Sequence, residues 1–190
     1  MVKKLILGVL GAIVAIVIVL CVVIAMQPNE FTVTRSATFN APPDALFAEV
    51  NDFHKWPEWS PWEKLDPNLE RSYSGPNAGK GASYAWKGND DVGEGRMTIA
   101  DSRPADAIKI DLEFIKPFAM KSEQNFSFRP DGDKTAMTWT MSGKNNFLTK
   151  AFGLVVSMDK TVGADFEKGL ANLKPIVEAV PKAAEPPIVN

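Results

Sequence analysis

The chain has 190 residues, with 21 Lys and Arg against 23 Asp and Glu, and a formal net charge of −2. That balance excludes the basic footprint of a nucleic-acid binder and offers anionic lipid headgroups no general attraction. With one cysteine (Cys21) and one histidine (His54), the chain has no intramolecular disulfide and no Cys or His cluster for a metal, and no cofactor is expected.

From Leu5 to Met26 the chain runs 22 residues without a charge, 15 of them Leu, Ile or Val. As a helix this segment is roughly 33 Å long, enough for a hydrocarbon core of about 30 Å. Lys3 and Lys4 precede it, and the next basic residue is Arg35. The positive-inside rule then places the N-terminus in the cytoplasm and the rest across the inner membrane, on the periplasmic side. A cleaved signal peptide is the rival reading, with Val23 to Ala25 as its processing site, but signal cores run only about 7–15 residues. Residues 1–26 are therefore expected to be a retained single-pass anchor and 27–30 a linker. Gly8 with Ala12 and Gly11 with Ala15 have the spacing of packed membrane helices, a pattern common by chance. The oligomeric state stays open.

Phe31 to Phe39 alternates, with Phe31, Val33, Ala37 and Phe39 on one face, which predicts a strand. Pro42, Pro43 and Asp44 open a short helix, Ala45 to Phe53. Between His54 and Trp62 stand three of the five tryptophans, with two prolines that forbid a long helix. Six strands are predicted near 69–74, 82–88, 94–102, 107–116, 122–129 and 135–143, separated by turns such as 89–93, 103–106 and 129–133. Ile108, Ile110, Leu112 and Phe114 alternate with Lys109, Asp111 and Glu113, the pattern of an antiparallel sheet with one wet face. Apolar residues from Phe152 to Val177 recur at three- and four-residue steps and predict one long helix, with a break or kink near Pro175. Residues 181–190 are expected to be a frayed tail.

An apolar sheet face and an apolar helix stripe bury one another in a two-layer α+β domain over 31–180. One helix cannot fill a strongly bent sheet, so an apolar cavity is expected between them.

Several segments carry a resemblance. They are Phe39 to Phe47 (FNAPPDALF), Val50 to Phe53 running into Trp56 to Trp62 (WPEWSPW), Gly93 to Ile99 (GEGRMTI), Lys116-Pro117, Thr135 to Trp139 (TAMTW) and Gly163 to Leu173 (GADFEKGLANL). Together and in this order they resemble the SRPBCC superfamily, the helix-grip fold of START and birch-pollen-allergen-like proteins, and within it the polyketide cyclase/dehydrase-like subgroup. The resemblance spans about residues 31–179. It implies a curved antiparallel sheet wrapped around a long C-terminal helix and a pocket for a hydrophobic or lipid-like molecule. It carries over no catalytic residue set.

Trp56, Trp59 and Trp62 have three roles open to them: a lid over an apolar ligand, packing of the short helices on the sheet, or indoles at a membrane interface. Tyr84, Trp86, Met97, Phe114, Phe126, Trp139, Met141, Phe152 and Phe166 should point between sheet and helix. All of these except Phe126 join the three tryptophans as candidate ligand contacts. Glu94, Arg96, Lys109, Asp111 and Glu113 alternate with apolar residues and belong on the outer face as charge pairs. His54 has no visible partner and reads as a surface residue. Gly75 to Gly81 departs from a phosphate loop in both spacing and final residue. The leading expectation is membrane-anchored binding of a hydrophobic molecule, with no catalytic residue assigned. A cyclase or dehydratase requires a titratable group facing the cavity, and a non-catalytic interaction module is the third reading.

Overall fold

The computed structural model describes residues 2–179. The tail expected over 181–190 lies outside the described residues. Helix α1 (Val2–Ala25) is long and apolar enough to cross a membrane, and its side chains stay uncovered until Ile24, which is buried. Only Met26 to Asn29 separate it from strand β1 (Glu30–Phe39). Helix α2 (Pro43–Val50), a 3-10 turn (Phe53–Lys55) and the short α3 (Trp56–Trp59) follow. The helix expected to reach Phe53 stops at Val50. There the Asp52 carboxylate accepts the His54 backbone N–H and starts a new turn.

Six further strands form a meander: β2 (Glu70–Ser74), β3 (Ser83–Lys87), β4 (Glu94–Arg103), β5 (Ala107–Lys116), β6 (Met120–Asp131) and β7 (Lys134–Lys144). With β1 on the β7 edge, the sheet order is β1-β7-β6-β5-β4-β3-β2, and every pairing is antiparallel. Helices α4 (Phe147–Gly153) and α5 (Met158–Glu178) close the chain, and α5 packs in the curve of the sheet. This is the α+β helix-grip arrangement.

The single helix expected from Phe152 to Val177 is two helices. Helix α4 ends at Gly153, the backbone turns extended at Ser157, and the Ser157 hydroxyl caps α5 by accepting the Lys160 N–H. Phe152 therefore sits on α4 and is 59% exposed, not turned between sheet and helix. Pro175 does not end α5, which runs on to Glu178. It lies in the last turn, where a missing N–H removes only one hydrogen bond.

Helix α5 is clamped along β1 by Arg35, which faces inward at the sheet edge. Its guanidinium binds Asp159 at 2.9 Å and Glu167 at 2.7 Å. Gly163 makes the approach possible, since a Cβ there would stand 2.0 Å from the Arg35 Nη2. The hydrogen bond to Arg35 holds the Asp159 carboxyl below its ordinary range. The outer-face charges pair as their alternation predicted: Arg96 with Glu113 at 2.6 Å, Lys116 with Glu94 at 2.8 Å, and Lys109 with Glu123.

The register gives the sheet two distinct ends. Glu30 pairs Lys144, Phe114 pairs Met120, and Glu94 pairs Lys116, so these residues lie at the end where α1 joins the domain. The turns after β3 and β5 lie there too. The far end carries the turns after β4 and β6, at the pairs Arg103–Ala107 and Asp131–Lys134. It is filled solid. Phe39, Ile99, Ile108 and Phe128 are buried there against Leu46, Val50 and Phe53, and Leu173 and Val177 of α5 join the same core.

Candidate functional site

Inner-face residues near the middle of the sheet form an aromatic floor. The Trp139 indole stacks on the Phe166 ring at 3.9 Å and 8°. Phe126 lies 5.0 Å from Trp139, and Trp59 meets it edge-on at 5.8 Å. Helix α5 comes this close because Gly169 faces Trp139, where a Cβ would already be at 3.0 Å.

Above this floor, toward α1, the interior is hollow. A cavity of about 200 Å³, partly open to the outside, is lined by Trp56 and Trp62 from the tryptophan segment, Tyr84 and Trp86 from β3, and Leu112 and Phe114 from β5. Met97, Met120, Met141 and Met158 also line it, four of the seven methionines in the chain. Unbranched thioethers can re-pack around guests of different shape. Trp86 reaches its position over Gly95, whose missing Cβ would fall 2.5 Å from the indole. Its N–H is anchored on the Val92 carbonyl at 3.0 Å.

Seven of the eleven residues expected at a ligand are thus brought to one cavity: Trp56, Trp62, Tyr84, Trp86, Met97, Phe114 and Met141. Trp59, Trp139 and Phe166 are fully buried in the floor and do not line it, because aromatic stacking against Gly169 leaves them no free face. Phe152 is outside, for the reason given above. His54 does not line the cavity; it is half-exposed, bonded to Asp52 at 2.9 Å and stacked on Tyr73.

The cavity has a polar side that periodicity did not reveal. Glu63, 7% exposed, lines it together with Ser60, Asp91 and Gln124. The Tyr84 hydroxyl donates to Glu63 Oε1 at 2.6 Å, and Arg71 Nε donates to Oε2 at 2.7 Å. Arg71 also donates to the Glu63 backbone carbonyl at 3.1 Å, so its guanidinium is held at this residue by two bonds, one of them to the carboxylate. Burial, and then the bond to Glu63, push the Tyr84 phenol far above its ordinary range. Gln124 accepts the Trp139 indole N–H at 2.8 Å. Since an indole only donates, this turns the Gln124 amide N–H group the other way, where its partner is the weak acceptor Met97 Sδ at 3.7 Å. The cavity therefore offers a carboxylate on one wall and an amide donor with spare capacity on another. Among the described residues no three His, Cys, Asp or Glu are grouped to hold a metal.

Glu63 had no sequence signal, because a charge in an aperiodic segment has no facing rule. Gln124 had one: it shares inward parity with Phe126 and Phe128.

A family model described as polyketide cyclase / dehydrase and lipid transport matches residues 30–178. The chain belongs to this family. Solved structures share its fold at low identity. Protein CV1439 from Chromobacterium violaceum is 12% identical, covers 81% of this chain and 100% of its own, and superposes with a TM-score of 0.57. The Aha1 dimer from Colwellia psychrerythraea is 14% identical, with 78% and 97% covered and a TM-score of 0.58. Mll3558 from Rhizobium loti is 21% identical, with 77% and 96% covered and a TM-score of 0.55. No curated protein matches the chain.

Proposed function

We propose that this family member is a membrane-anchored binding domain that takes a hydrophobic or amphipathic small molecule, lipid-derived in class, into the cavity between sheet and α5. In this reading α1 crosses the inner membrane with its N-terminus in the cytoplasm, and the domain stands on the periplasmic side. The observation that carries the proposal is the hollow itself: an apolar space lined by four methionines and several aromatics, in a family whose description includes lipid transport.

The volume of about 200 Å³ bounds the guest. It exceeds the roughly 150 Å³ that accepts benzene and falls short of the roughly 300 Å³ where drug-sized pockets begin. A ring or a short stretch of acyl chain matches it. Each buried methylene contributes about 0.8 kcal/mol, and Gln124 and Glu63 orient a polar end.

Native mass spectrometry of the detergent-extracted full chain tests this. A small-molecule adduct on the wild type that is lost in Leu112→Trp, with the thermal transition retained, supports the proposal. Equal adducts on both proteins, or none together with no displaceable uptake of an apolar fluorophore, would sink it.

A second reading, a cyclase or dehydratase acting on a polyketide-like or aromatic substrate, is favoured by one observation: Glu63 and Tyr84 are titratable groups on the cavity wall. There Glu63 is the proton acceptor and Tyr84 a donor. Glu63→Gln separates the readings, because a binding role retains most apolar uptake while a catalytic role loses turnover outright.

A further inference from the structure

The cavity and the domain's exposed apolar surface lie at the same end. At the turn after β5, Ile115 and Phe118 are exposed. On α4, Phe147 and Phe152 point outward, and in the α4–α5 connection Leu154 and Val155 do so, Val155 at 87%. The register places the first of these segments beside Glu30 and Lys144, at the root of α1. The others are fixed there directly. Lys150 of α4 donates to the Ala25 carbonyl at 3.3 Å and to Asn29 Oδ1 at 2.6 Å, and Asn145 donates to the Pro28 carbonyl at 3.1 Å. Cavity residues flank both apolar segments: Phe114 and Met120 border the β5–β6 turn, and Met158 opens α5 just after the connection.

We infer that the β5–β6 turn and the α4–α5 connection form a second membrane contact, a pair of apolar tips that enter the interface of the same bilayer that holds α1 and turn the cavity toward its lipid. The inference rests on α1 spanning a membrane. Given that, the bonds of Lys150 to the last carbonyl of α1 and to Asn29 keep these tips within a few side-chain lengths of the headgroups. An exposed cluster of Phe, Leu and Val is costly in water and favoured at a bilayer interface. The charges around it suit that setting. Lys121 and Lys150 lie beside the tips with long stems that keep their ammonium groups at headgroup level. The occupant is therefore lipid, and the cavity loads from the leaflet without its guest crossing water.

The test uses the full chain with Cys21→Ser and a single polarity-sensitive label at Phe118→Cys, Val155→Cys or Lys134→Cys, reconstituted in phosphatidylcholine/phosphatidylglycerol vesicles. Lys134 is exposed at the far end, beside the β6–β7 turn. Quenching by doxyl-labelled lipid at positions 118 and 155 but not at 134 is the expected result. Equal quenching at all three positions, or none, overturns the inference. So does dryness at 118 and 155 that persists in dilute detergent without vesicles, since a second copy of the chain then covers the tips. A label on the native Cys21 reads the insertion of α1 separately. Detergent-delivered uptake of an apolar fluorophore reads the cavity separately. The triple variant Phe118→Ser, Phe152→Ser, Val155→Ser should keep that detergent-delivered uptake and lose uptake from vesicles. Equal loss of both would instead mark these side chains as structural.

Discussion

The two ends of the sheet are built from the same alternating pattern, yet one is solid and the other hollow. At the far end Phe39, Phe128 and Ile108 meet the short helix α2, which brings Leu46 and Val50 down onto them. Helix α2 does not reach the end near α1, where only α5 and the irregular segment from Trp56 to Glu63 stand over Met141, Met120 and Phe114. A curved sheet needs two helices to fill it. This chain supplies the second helix over only half the length, so the cavity follows from where α2 lies rather than from any special lining residue. The aromatic floor of Trp139, Phe166, Phe126 and Trp59 is the boundary between the two regimes.

Mutations can break or sharpen this contrast. The largest effect belongs to the solid end, where Phe39→Ala or Phe128→Ala should cost about 3–5 kcal/mol by chemical denaturation. A loss no larger than that of a cavity-wall residue would mean the far end is not close-packed. Next is the buried carboxylate. Arg71→Met leaves Glu63 without its cation and should cost about 1–3 kcal/mol, with Glu63→Gln, Arg71→Met recovering part of it in a double-mutant cycle. Filling the hollow end comes third. Leu112→Phe should change stability by less than about 1.5 kcal/mol, because the added volume has somewhere to go, and should weaken uptake of an apolar probe. The same change in a solid core would strain it.

Tyr84 gives a pH signature. Its phenol is pushed up in the fold, so the stability it contributes is complete below about pH 10, the unfolded value, and is lost as pH rises above that. Phenolate absorbance should therefore show Tyr84 ionising only with alkaline unfolding, and Tyr84→Phe should remove that component. The smallest effect is on the outer face. Arg96→Ala opens an exposed pair with Glu113 and should leave the melting temperature unchanged at moderate salt.

Much of the fold was legible because period-two alternation is a local signal. Several of the strands, the wet outer face and the inward set fall out of it, and the turn residues between segments mark the remaining strands. The helical ends were less so. Phe152 shares the three- and four-residue spacing of α5, and no periodicity separates it from Val162; the Ser157 cap and the run Leu154 to Val156 decide the break. The cavity's apolar wall was readable from inward parity, which is why Met97, Phe114 and Met141 were found. Its polar side was not. Glu63 is aimed by the path of a proline-rich segment, and its partner Arg71 lies on an edge strand where every residue reads as exposed. Trp59 and Trp62 differ only in that one turns under the floor and the other stands at the wall, a distinction set by three-dimensional packing alone.

The clamp of Lys150 on the last carbonyl of α1 and on Asn29 turns the connection from a leash into a lever. A domain on a slack tether tumbles independently of its anchor, whereas one bolted to the end of a helix inherits that helix's tilt. On the proposed reading that α1 spans a membrane, it leans further over in a thinner bilayer. The domain would then swing with it and change the attitude at which its cavity meets the lipid. The lipid quenching at position 118 should accordingly vary with acyl-chain length in the wild type, and lose that dependence in Lys150→Ala.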